Sequence, residues 1–231
     1  MTLSSAQEFW NEPDMVRQFA EREPDRRLVD LIETITDPAA HPVLDLGCAG
    51  GRNSDLLAAR GIPVLAVDFA PAMVEQTRER VARYIGMEAA VRSTHQGRMD
   101  DLGFAADRSV WIVLALGILQ QAVTMEEWNR TLDEIARVLA PGGQCLVANF
   151  APGTGPVDAP PPRLLPGTKF LYQNKRFGTW CLPDAEQLDA EFASRGLVPV
   201  TPTHTVERVV DGQRRRTVNA LYRKISGKPT S

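Results

Sequence analysis

The apolar run Val43-Leu44-Asp45-Leu46 breaks into Gly47-Cys48-Ala49-Gly50-Gly51, and the next apolar run, Val64-Leu65-Ala66-Val67, ends on Asp68. An apolar run that stops at a glycine cluster and resumes as a helix is a buried strand feeding a tight turn, where bare backbone can approach a ligand closely. An acidic residue ending the second strand of such a βαβ unit stands where it accepts hydrogen bonds from both hydroxyls of a ribose. The two features together constrain the chain to an α/β fold with a nucleotide site and leave the nucleotide open.

A dinucleotide fingerprint asks for G-x-G-x-x-G, so that turn and helix N-terminus together hold a pyrophosphate. Here Ala49 replaces the middle glycine, and Gly50 and Gly51 follow it directly. An alanine is tolerable beneath a ligand without a bulky diphosphate. Asp45, two residues before the turn, has a purpose beside the amino group of an amino-acid moiety that it lacks beside a phosphate.

The string from Asp45 to Gly51 resembles motif I of the class I S-adenosylmethionine (SAM) dependent methyltransferases, D-L-G-C-G-x-G, and Val67-Asp68-Phe69-Ala70-Pro71-Ala72-Met73 resembles their second motif. The resemblance covers most of the chain. It extends through Gly97-Arg98-Met99-Asp100-Asp101-Leu102, the strand Val110 to Leu116, and Leu139-Ala140-Pro141-Gly142-Gly143. It implies an α/β, doubly wound, mostly parallel seven-stranded sheet of Rossmann-like type with an antiparallel C-terminal edge hairpin. It also implies in-line methyl transfer from SAM to a small-molecule acceptor, with S-adenosylhomocysteine as product. An NAD(P)-type Rossmann oxidoreductase and a non-catalytic SAM-binding module are the alternatives.

Carried over by motif, the cofactor contacts fall on Asp45, Gly47, Cys48, Ala49 and Gly51 in the turn, and on Asp68 for the ribose. Phe69 lies against the adenine and Met73 borders the same pocket from the helix. Relatives commonly read G-D-x-x-x-L-P-F near Gly97, the aspartate accepting from the adenine amino group. Arg98 takes that place and cannot accept such a bond. A backbone carbonyl, Asp100, or the Met99 backbone alone can serve instead, and Met99 is the preferred reading. Ala115 and Leu116 complete the set. Trp111 stands where relatives carry an acidic residue, which argues against the metal-dependent catechol enzymes, and no metal is expected.

Composition narrows the partners. With 231 residues and 43% hydrophobic composition the chain can bury a full core, and one methyltransferase domain over 1–231 is expected. A net charge of −3 gives no general attraction for nucleic acid or anionic membrane. The acidic N-terminus and the lack of a long apolar run point to a soluble, cytoplasmic protein. Cys48, Cys145 and Cys181 are read as free thiols, and the chain as a monomer or homodimer.

Helix signals punctuate the chain. Arg60-Gly61 closes one helix, Pro71 opens the next with Met73, Val74, Val81, Tyr84 and Ile85 on one face, and Thr124 caps a third that carries Trp128, Leu132 and Ile135. Another runs within Leu182–Gly196, and residues 203–225 form two strands joined at Asp211-Gly212. Two segments fall outside the βα repeat. Residues 1–36 form a helical lid carrying Trp10 and Phe19, and 151–181 is a long Pro/Gly-rich loop followed by Phe170, Tyr172, Phe177 and Trp180. Phe170, Tyr172, Phe177 and Trp180, together with Trp10 and Phe19 and with Gln120 from the loop after Leu116, are the expected acceptor-binding residues of this lid and cap. A sulfonium donor is already activated, so positioning carries most of the catalysis. Where a base is needed, His204 and Tyr172 are the candidates, with His95 and Asp184 behind them, and Gln121 is a further candidate for a catalytic contact. Arg214-Arg215-Arg216 reads as a solvated strand edge.

Overall fold

The computed structural model describes residues 3–174 and 178–226, and the chain groups into two compact units, 1–114 and 115–231. The first opens with three short helices, α1 (Leu3–Asn11), α2 (Pro13–Ala20) and α3 (Arg26–Ile32). Pro13 starts α2 at a position whose N–H has no helical partner, and the Asp25 side chain caps α3 by accepting from Arg27 N. There follow β1 (Val43–Leu46), α4 (Arg52–Ala59), β2 (Val64–Asp68), α5 (Pro71–Ile85), α6 (Met87–Ser93), β3 (Thr94–Gln96) and β4 (Val110–Leu116). β1 pairs in parallel with both β2 and β4, and β2 in parallel with β3, which sets the local order β4-β1-β2-β3.

Helix crossovers make this order possible, because parallel neighbours need a return path of a dozen or more residues. All four residues of β1 are buried, as a strand flanked on both edges requires. Gly61, at φ 68°, closes α4 after Arg60, and Pro71 is the first residue of α5. The apolar face expected of α5 is shorter than its periodicity implies. Met73, Val74, Thr77 and Val81 turn inward, but Tyr84 and Ile85 are 49% and 42% exposed. Periodicity marks which positions share a face; it does not say how far the layer beneath extends, and Gly86 at φ 80° ends the helix there.

The second unit contains α7 (Met125–Val138), β5 (Leu139–Phe150), β6 (Gly155–Pro156), β7 (Arg163–Leu164), β8 (Leu171–Asn174), β9 (Gly178–Cys181), α8 (Ala185–Ala193), β10 (Leu197–Pro199), β11 (His204–Val210) and β12 (Gln213–Lys224). The Thr124 side chain accepts from Glu127 N at 3.0 Å, so α7 starts where its cap signal lies. β12 runs antiparallel to β5, from Thr217 opposite Phe150 to Arg223 opposite Gln144, and also pairs with β6, β10 and β11. Asp211 and Gly212, at φ 50° and 68°, make the hairpin turn with two left-handed residues, which suits the twist of the strands they join. The first unit is thus parallel and helix-wound and the second carries the antiparallel C-terminal strands, the Rossmann-like class expected.

Residues 151–181 differ from the loop expected. They hold β6 and a small antiparallel sheet in the order β7-β8-β9. Strands of two to four residues among prolines and glycines leave too short a pattern for periodicity to register. Phe170 is 1% exposed and meets Trp128 edge-on at 5.2 Å, so it packs the insert into the core. Phe192 stacks on Tyr222 at 4.1 Å in the same unit. Cys48, Cys145 and Cys181 are all free and buried. Among the described residues no helix is long and apolar enough to cross a membrane, and no group of acidic, histidine or cysteine side chains is placed to hold a metal.

Candidate functional site

Gly47 N and Cys48 N both donate to Val67 O, at 2.9 and 3.0 Å, so the turn after β1 is tied to the end of β2. Gly47, Ala49 and Gly51 have φ of 72°, 49° and 80°. Ala49 occupies the left-handed region that L-residues avoid. It is held there from both sides: its N–H donates to Asp68 Oδ2 at 3.0 Å, and its carbonyl accepts from Thr77 Oγ1 at 2.8 Å. A Cβ on Gly50 would lie 2.6 Å from Ala20 N, and one on Gly51 would lie 2.9 Å from Thr77 Cα. At these two positions the missing side chain makes room for α2 and α5, and the close approach is to the protein's own backbone.

Two carboxylates stand behind the turn. Asp45 is 2% exposed, and its Oδ2 accepts from Ser54 Oγ at 2.7 Å. Burial pushes its carboxyl up to about 6, against the Ser54 hydroxyl and the Arg52 charge, while the nearby Asp68 adds to the rise. Asp68 is also held above the usual carboxylate range by burial, opposed by the N–H groups of Ala70, Ala49 and Phe69. Its two oxygens accept from Ala70 N and Ala49 N, each at 3.0 Å, and with Phe69 N as a third partner the carboxylate keeps one further acceptor site. The Cys48 thiol between them is raised well above its ordinary value by burial and by both carboxylates, so it stays neutral.

Arg52 is a residue that motif reading passes over. It is the first residue of α4, its charge is felt at both Asp45 and Asp25, and its Nε has no hydrogen-bond partner. A cation directly after the last glycine of the turn is the available signal.

The first two helices are tied to the junction of β2 and α5. Gln7 Nε2 donates to Phe69 O at 2.9 Å, and Ala72 N donates to Asn11 Oδ1 at 3.0 Å. α5 has Ala70 at its N-cap, which offers no capping oxygen, so Asn11 supplies one from another helix. Arg80 donates to Ala20 O and Gly50 O at 2.8 and 3.1 Å. Phe69 is half-buried and Met73 is 1% exposed. Trp10 meets Phe19 edge-on at 5.2 Å, and the Arg22 guanidinium lies 3.7 Å over the Phe19 ring. An open groove of about 530 Å3 runs between α2 and α5 past Asn11, Ala20 and Ala72, and none of the expected cofactor residues lines it.

Further along the unit, Arg98 Nε donates to Asp100 Oδ1 at 2.8 Å. Asp100 and Met99 are both 8% exposed. His95 stacks on Phe104 at 4.1 Å, and burial lowers its pKa.

In the second unit, Ala115 is buried and Leu116 half-buried. Gly117 N donates to Ala148 O at 2.9 Å, and a single 3-10 turn, Leu119–Gln121, follows. Gln120 is 4% exposed and its Nε2 donates to Gly117 O at 2.6 Å, while Gln121 is half-buried. Tyr172 and Trp180 pair across β8 and β9, and Trp180 meets Phe150 at 5.6 Å. Burial and the Asp184 charge raise the Tyr172 hydroxyl. Asp184 itself caps α8, accepting from Gln187 N at 2.9 Å. His204 is exposed on β11, the strand that pairs only with β12 among the described residues. Phe177 lies outside the described residues. Asn149 is absent from the expected set. It is fully buried, and its Nδ2 donates to Phe150 O and Cys181 O at 2.8 and 3.1 Å. Its signal is a lone amide inside the apolar run Leu146 to Phe150.

A model of the methyltransferase domain matches residues 43–143. The chain is 28% identical to the demethylmenaquinone methyltransferase of Clavibacter sepedonicus over 176 residues, 70% of this chain and 67% of that protein. It is 34% identical to the trans-aconitate 2-methyltransferase of Paracidovorax citrulli (strain AAC00-1) over 107 residues, 45% of this chain and 40% of that one. The match therefore spans two thirds of the first relative and under half of the second. Among solved structures, the 1,6-didemethyltoxoflavin-N1-methyltransferase of Burkholderia thailandensis, with its bound substrate and S-adenosylhomocysteine, shares the fold at a TM-score of 0.61 and 18% identity, covering 96% of this chain and 84% of that one.

Proposed function

We propose that the chain is a class I SAM-dependent methyltransferase that transfers the methyl group of SAM to a small-molecule acceptor, a reading supported by the methyltransferase-domain match and by the similarity to named methyltransferases. The observation that carries the proposal is the pair of carboxylates on adjacent parallel strands, buried Asp45 and half-buried Asp68, with the Ala49 turn between them. Their free lone pairs fit the donor. Asp68 accepts from the ribose hydroxyls, and Asp45 from the amino group of the methionine end. Arg52, with an unpartnered Nε next to Asp45, faces the carboxylate of the same zwitterion. Phe69 and Met73 flank the adenine, and the Met99 backbone reads its edge while Arg98 is engaged by Asp100.

Bound SAM supplies a methyl group on a sulfonium, whose displacement leaves a neutral thioether. The chain's own work is then to hold the donor, align the acceptor and exclude water. Helices α1 and α2, tied to Phe69, Ala72 and Gly50, serve as the lid over 1–36, and the insert 151–181 as the acceptor cap. Asp184 is spent on a helix cap and His204 lies on an exposed strand, which supports catalysis by positioning without a dedicated base.

Calorimetric titration with SAM and with NAD, followed by incubation with methyl-labelled SAM and a cell metabolite extract, tests the reading. Binding of SAM alone and label in a small molecule support it. Absence of SAM binding, or binding untouched by Asp68→Ala, overturns it.

A further inference from the structure

We propose that Gln120 and Asn149 are the recognition groups for the methyl acceptor, and that this acceptor is an uncharged or cationic molecule presenting at least two N–H or O–H donors. The proposal rests on the methyltransferase reading above and names its substrate class. Both side chains are more than nine-tenths buried, and Gln120 Oε1 and Asn149 Oδ1 are buried atoms with no hydrogen-bond partner. Neither amide can be turned round to remove the difficulty. Asn149 Nδ2 is fixed between the carbonyls of Phe150 and Cys181, and Gln120 Nε2 is fixed on the carbonyl of Gly117. A flipped amide would set oxygen against oxygen in each case. The unsatisfied atom is therefore an acceptor in both.

Buried polar atoms in native proteins are paired by protein, water or ligand, and an orphan in each of two neighbouring elements calls for a partner. Position says which partner. Asn149 is the penultimate residue of β5, and Gln120 lies four residues past the end of β4. In open α/β sheets the ligand crevice lies beyond the carboxyl ends of the strands. The two residues also belong to one cluster of the second unit: the 3-10 turn of Gln120 packs on β9, and β9 supplies the Cys181 carbonyl that orients Asn149. Phe150 and Trp180, each next in sequence to a residue of that hydrogen bond, are half-buried and in ring contact, so apolar surface adjoins the two oxygens.

The chemistry follows from the charges. Two amide oxygens welcome N–H and O–H groups and repel anions, and no lysine or arginine is hydrogen-bonded to either amide among the described residues. A polycarboxylate acceptor, of the kind named for one of the relatives, is thereby disfavoured. A hydroxyl-, amino- or amide-bearing ring or chain with an apolar body fits.

The test uses the full chain, methyl-labelled SAM and a cell metabolite extract, with mass spectrometry of the labelled product. The expected product derives from a precursor with two or more N–H or O–H donors. With that precursor, Gln120→Met and Asn149→Leu each raise KM about tenfold, the loss typical of one hydrogen bond to a ligand, while the Kd for SAM stays at the wild-type value. Thermal melting checks each variant. Gln120→Met, on a short 3-10 turn, decides alone if Asn149→Leu fails to fold. A donor-free precursor, a methyl ester of a carboxylic acid as product, or a folded Gln120→Met with unchanged KM overturns the proposal and leaves methyl transfer standing. A protein that neither binds SAM nor labels anything overturns both.

Discussion

The turn around Asp45 and Asp68 and the cluster around Gln120 and Asn149 are both polar and withdrawn from solvent in large part, but their side-chain oxygens are satisfied in opposite ways. In the first, Asp45 has the Ser54 hydroxyl and Asp68 has two backbone N–H groups. In the second, each amide spends its donors on backbone carbonyls and leaves its oxygen unpaired. The carboxylates of the first region have protein donors before any ligand arrives, and among the described residues only the Arg52 Nε beside them lacks a partner there. The second, on the proposal above, is completed by the acceptor.

Four substitutions test the contrast. The largest effect is expected from Asp68→Ala, which removes the proposed ribose acceptor and the partner of Ala49 N together. SAM affinity measured by calorimetry should fall at least about 100-fold, roughly 3 kcal/mol. An unchanged affinity would show that the turn is organised for packing alone.

Asp45 offers a test through pH. Its pKa in the folded protein, about 6, lies above the ordinary 3.8, so the folded protein binds more protons than the unfolded chain between those values. Stability contributed by the protonated form is present below about pH 4 and is lost as pH rises through 6. A rise of that size is worth roughly 2 to 3 kcal/mol. Asp45→Asn keeps an acceptor for Ser54 and removes the titration. Its melting temperature relative to wild type should rise between pH 4 and pH 7, while its SAM affinity falls. A pH-independent difference would place no charge at Asp45.

A smaller effect separates packing from ligand approach at the glycines. Gly50→Ala brings a Cβ to 2.6 Å from Ala20 N, which must shift α2. Overpacking of this kind costs about 1 to 3 kcal/mol, readable by denaturant unfolding without any ligand. A loss of SAM binding at unchanged stability would return Gly50 to the ligand. The smallest effect belongs to Asn11→Ala, which removes the cap of α5 for about 1 kcal/mol. Faster amide exchange in the first turn of α5 is the expected signature.

How much of the fold and site is legible in the sequence depends on range. The βαβ unit, the end of α4 at Gly61, the start of α5 at Pro71 and the hairpin at Asp211-Gly212 are all specified by neighbouring residues, and each stands where its signal lies. The insert reads as a loop because β7, β8 and β9 are too short to show a period. Phe170 reads as a pocket aromatic because nothing local announces that Trp128, far away in sequence, covers it. Tyr84 and Ile85 read as inward-facing because periodicity carries no information on where a layer ends. Asn149 and Arg52 escape notice because their significance lies in what they fail to bond, and that is a property of surroundings.

The α/β class, the glycine turn and the two carboxylates beside it follow from the order of residues, because strand, turn and helix signals act over a few positions and the motif is contiguous. Folding in three dimensions settles that Gly50 and Gly51 yield their space to α2 and α5, that Asn11 caps a helix sixty residues away, and that two buried amide oxygens are left without donors. Close approach, capping from a distance and hydrogen-bond satisfaction depend on which atoms meet, and only the folded chain brings them together.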